Sequence, residues 1–71
     1  MIDIKRLKAE MLMQDIKVPR LAQTIGIDKV TFYRKLSGKS EFTISEIYSI
    51  IEVLKIPDEK IISIFFTKKV S

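Results

Sequence analysis

Apolar residues recur along this chain at three- and four-residue spacing, broken by turn-forming residues, and the pattern predicts five short helices. Asp3 is placed to cap the first, which runs to about Gln14. Ile4, Leu7, Met11 and Leu12 form its buried stripe, with Lys5, Arg6, Lys8 and Glu10 outside. Met11 and Met13 read as gap fillers. Gln14 to Lys17 is a loop. Pro19 suits the first turn of a second helix, where its missing N–H is not needed. Leu21, Ala22 and Ile25 form the apolar face of that helix, and Arg20 and Gln23 point away from it. A third helix, Lys29 to Leu36, pairs Phe32 with Leu36 on its inner face. Phe42 reads as a plug into the core. Thr43 and Glu46 have the spacing of a capping box for a fourth helix that ends near Leu54. Its apolar face is Ile44, Ile47, Tyr48, Ile51 and Leu54, widened by Ile50 and Val53, with Tyr48 half-buried. Pro57 breaks the chain, and Asp58 and Glu59 suit the start of a last helix reaching about Phe66. Residues 1–66 form one domain, and 67–71 read as a short tail.

The stretch from Leu21 to Gly38 organises the rest. Gly26 lacks a Cβ and so permits a sharp turn at positive φ. Ile27 tucks under the corner. Asp28 caps the next helix by accepting from its free N–H groups. Gly38 closes that helix. The turn is too short for antiparallel helices, which predicts a helix-turn-helix. Opposite Phe32 and Leu36, the third helix exposes Lys29, Val30, Thr31, Tyr33 and Arg34. A guanidinium, an ammonium, hydroxyls and a methyl surface are the groups that read base edges in a DNA major groove.

This stretch resembles the helix-turn-helix of the lambda-repressor and Cro family of phage and bacterial regulators. Leu21-Ala22, Gly26-Ile27, Phe32 and Ser37-Gly38 carry the resemblance, and one helix before and two after extend it over most of the chain. Lys17 and Val18 stand where the family usually has Thr-Gln. Lys35 stands where it commonly has a second apolar residue, a role Leu36 takes here. The resemblance implies a compact five-helix, all-α domain that binds double-stranded DNA as a two-fold dimer. It implies base-reading positions at Lys29, Val30, Tyr33 and Arg34, with Thr31 beside them. Lys39, Ser40 and the helix start at Thr43 would hold phosphates, with Lys17 and Arg20 at the other edge. Repression by promoter occupancy in the cytoplasm of a bacterium or a phage-infected host would follow.

Charge sharpens the picture. The chain has a net charge of +4 over 71 residues. Between Lys17 and Lys39, six basic residues face the single Asp28, so all the excess positive charge lies on this segment. That is the footprint of a polyanion site. Enzyme chemistry finds no support. The chain has no Cys and no His, so the usual zinc ligands and the commonest general base are missing. It has no glycine-rich phosphate loop, and its carboxylates are scattered. No cofactor is expected. The N-terminus lacks the apolar core of a signal peptide, and no apolar run approaches the ~20 residues that span a bilayer.

A domain of this size buries only about 60% of its unfolded surface, so its core is thin. Ile61, Ile62, Ile64, Phe65 and Phe66 therefore cannot all face inward. This predicts a dimer interface on the last helix, through Ile61, Ile64, Phe65 and Phe66. A second reading stays open: a protein-interaction module of the same fold, an anti-repressor or antitoxin-like partner, acting through that helix.

Overall fold

The computed structural model describes residues 2–66 and contains five α-helices, with no strand among the described residues. They are α1 (Ile4–Met13), α2 (Val18–Ile25), α3 (Lys29–Leu36), α4 (Ile44–Leu54) and α5 (Asp58–Phe65). The expected tail at 67–71 lies outside the described residues. None of the described helices is long and apolar enough to cross a membrane.

The helix starts follow the local signals. The Asp3 carboxylate accepts from the Arg6 N–H. Asp28 accepts from the N–H groups of Val30 and Thr31. Thr43 and Glu46 form the full capping box. Lys17 precedes α2 with no side-chain cap, and Pro19 sits in the first turn.

Four helix ends share one device. Asp15, Gly26, Gly38 and Lys55 adopt positive φ of 54°, 82°, 84° and 50°. At each, the next amide donates to a carbonyl five residues back: Ile16 to Met11, Ile27 to Ala22, Lys39 to Arg34 and Ile56 to Ile51. This double-bonded termination satisfies carbonyls that the helix leaves open. After three of these turns the donor is an isoleucine packed into or against the core. After α3 it is the exposed Lys39.

The core gathers Leu7, Met11, Leu21, Ala22, Phe32, Leu36, Phe42, Ile47, Ile50, Leu54, Ile56, Ile64 and Phe65. Phe42 is the expected plug; its ring meets that of Phe32 edge to face at a centroid distance of 5.4 Å. The first and last helices close the fold on each other. The Asp3 amide donates to the Ile64 carbonyl, and the Lys60 ammonium bonds the Glu10 carboxylate. Gln14 donates to the carbonyl of Leu54 at the end of α4.

Several expected faces are corrected. In α1, Leu12 is 81% exposed and Glu10 is buried, the reverse of the expected stripe. The helix is rotated so that Glu10 meets Lys60, and the apolar contact passes to Leu7 and Met11. Met13 is exposed and fills no gap. In α4, Ile47, Ile50 and Leu54 face the core, while Ile44 and Tyr48 lie in solvent. Its apolar arc is too wide for spacing alone to set the phase, and the contact with α2 selects one side.

Candidate nucleic-acid interface

The α3 face begins with its turn. Gly26 ends α2 in the left-handed region, and Ile27 packs partly against the core, turning the chain toward Asp28. The Asp28 carboxylate then satisfies two free amides of α3. Phe32, fully buried, and Leu36 anchor the inner side of the helix. Lys29, Val30, Thr31, Tyr33 and Arg34 are all exposed. Lys29 and Tyr33, and Val30 and Arg34, are spaced i, i+4, and Val30 and Tyr33 are spaced i, i+3. Together they make one continuous patch along α3. Val30 is 60% and Tyr33 51% exposed, high values for apolar surface.

Beyond α3, Lys39 is exposed on the turn whose amide it donates to the Arg34 carbonyl, 3.0 Å away. The Ser37 hydroxyl donates to the same carbonyl. Ser40 is partly buried. Thr43 is exposed, but much of its hydrogen-bonding capacity is engaged. Its amide donates to Glu46, and its hydroxyl accepts from the Glu46 amide. A carboxylate therefore occupies the start of α4, which limits Thr43 as an anion contact to its hydroxyl proton. Lys17 and Arg20 are exposed on a separate element, the beginning of α2.

Lys35 turns away from the patch. Its side chain is 10% exposed, and its ammonium is bonded to the Glu46 carboxylate and lies 5.8 Å from the centre of the Phe42 ring. The aliphatic stem covers apolar surface while the charge finds its partner. The positive segment thus presents five cations outward rather than six. Burial alone would raise the Glu46 carboxyl, but the Lys35 hydrogen bond, the Thr43 amide and the Lys35 charge outweigh it. Glu46 is held below its ordinary value and stays ionised. Sequence reasoning passed over this pair. The available signal was a lysine at an inward-facing position, followed by a capping-box glutamate.

The expected surface of α5 is also corrected. Ile64 and Phe65 are buried at 2% and 1% exposure, and Ile61 is partly buried. Ile62 and Phe66, spaced i, i+4, are the exposed pair at 70% and 51%. The small core has room for two of the five apolar residues because α1 covers that side. Among the described residues, no group of three or more His, Cys, Asp or Glu could hold a metal ion.

Comparison with family models, curated proteins and solved structures gives no match to this chain.

Proposed function

We propose that this chain is a sequence-specific, double-stranded DNA-binding transcriptional regulator of the lambda-repressor and Cro type. The helix-turn-helix would be α2 and α3, with α3 entering the major groove. The observation that carries the reading is the exposed patch of Lys29, Val30, Thr31, Tyr33 and Arg34 on a helix whose opposite face is locked in the core. Arg34 has the two parallel donors that match guanine O6 and N7, and Val30 offers a surface for a thymine methyl. Lys39 and Ser40 follow the reading helix and would hold phosphates, and Lys17 and Arg20 would supply cations at the start of α2. Thr43 contributes at most its hydroxyl.

A homodimer would place two such helices about one helical turn of DNA apart. Its contact surface is proposed at Ile62 of α5 and Phe66 just after it, with Ile61 at the edge. That same surface supports the second reading, a protein-interaction module whose basic face plays no part.

Selection from a pool of randomised duplexes at moderate salt tests the proposal. Enrichment of a two-fold symmetric motif is the expected result. Weak, salt-sensitive retention without any enriched motif would leave only general polyanion affinity and favour the second reading.

A further inference from the structure

We infer that Lys35 and Glu46 are positioning residues for the α3 face, an inference that rests on the DNA-reading role proposed above. Their ion pair ties the last turn of α3 to the first turn of α4. Lys35 adjoins Arg34 on that turn, and the Arg34 carbonyl accepts from the Lys39 amide. One turn therefore carries a base-reading side chain and a phosphate-holding one, and the ion pair fixes it.

Both ends of the pair are themselves held. Glu46 accepts from the Thr43 amide as well as from Lys35. The Lys35 ammonium lies over the Phe42 ring, which in turn meets the fully buried Phe32. Apolar packing does not complete the restraint. A groove of about 430 Å³ opens beside Lys35, Leu36, Ser37 and Gly38, so packing does not close over that side of the turn completely. An ion pair of low exposure is directional where packing is loose. Such pairs add little net stability over apolar residues of equal volume, and their best-attested use is to hold one register.

The test compares wild type with the double variant Lys35→Met/Glu46→Gln and with Lys35→Arg. Each binds a duplex recovered by selection and a duplex of unrelated sequence, with helix content and melting followed in parallel. The double variant is expected to stay folded and to lose less than about twofold in affinity for the unrelated duplex, because Lys39 keeps its charge and the attraction of a cation to the phosphates depends little on exact placement. Its preference for the selected duplex should fall by about tenfold, the scale of losing one well-placed base contact. Lys35→Arg, which keeps the charge, should retain that preference. A folded double variant with an unchanged preference overturns the inference.

Should the double variant fail to fold, amide exchange in the wild type decides. The Lys39 amide is expected to be as protected as that of Leu36, and exchange at open-loop rates would overturn the positioning role. If the wild type selects no duplex at all, the DNA reading fails by itself. Comparing Lys39 exchange between wild type and the double variant then still decides whether the pair holds the turn.

Discussion

The ammonium of Lys60 reaches the carboxylate of Glu10 at 3.0 Å, joining α5 to α1 across fifty positions of chain. The two ends of the bond differ in setting: the Glu10 side chain is 9% exposed and that of Lys60 is 48% exposed. Removing the lysine leaves a buried carboxylate without its partner. Lys60→Met is expected to cost about 1–2 kcal/mol, reduced from the figure for fully buried pairs because water reaches Lys60. Glu10→Gln keeps an acceptor for Lys60 and should cost less, under about 1 kcal/mol. Urea titrations of the two variants give the order. Equal costs would mean that water replaces Lys60 fully.

Glu46 gives the fold a defined acid sensitivity. Its carboxyl is held below the ordinary value of 4.5, so the stabilisation it contributes is fully present above that pH. It is lost as the pH falls through the lower, folded-state value. The stability difference between wild type and Glu46→Gln should therefore be constant at neutral pH and shrink only below about 4.5. Thermal melts at a series of pH values measure it. A difference that shrinks between pH 5 and 8 would show that another group controls it.

Arg34 and Lys39 are predicted to differ in kind. Arg34→Ala should cost about 1–3 kcal/mol on a selected duplex and relax the preference at one base position. Lys39→Ala should weaken all duplexes alike and reduce the salt slope by about one. Binding isotherms over a range of salt separate the two effects. Uniform weakening by Arg34→Ala would make it a phosphate contact, and an unchanged slope would remove Lys39 from the interface.

Neighbours on α5 should part in the same way. Ile64 is buried, and Ile64→Ala is expected to destabilise by about 2–5 kcal/mol. Ile62 is exposed, and Ile62→Glu should leave stability within about 0.5 kcal/mol while abolishing self-association. Sedimentation equilibrium at high concentration gives the second readout. A wild type that is monomeric there would remove the proposed dimer.

The helix boundaries were legible because they depend on local stereochemistry. Gly26, Asp28, Thr43 with Glu46, and Pro57 each act within a few residues, and each stands at the turn or helix start expected of it. The exposed α3 patch was legible for the same reason, since Phe32 and Leu36 set the inner side without ambiguity. Rotations of the outer helices were not. Leu12 and Glu10 exchange their expected places because α5 lies where it does, and α1 carries no sign of that. The wide apolar arcs of α4 and α5 fit several phases, so spacing alone does not place Ile44, Tyr48, Ile64 and Phe65. The pairing of Lys35 with Glu46 was not legible because the two belong to different helices.

The bonds from Asp3 to Ile64 and from Glu10 to Lys60 have a consequence for synthesis. During synthesis α1 emerges well before α5, the helix that completes its packing. Until residues 58–65 are free, α1 lacks the element that closes over it. The fold is thus completed only once α5 is free to dock on α1.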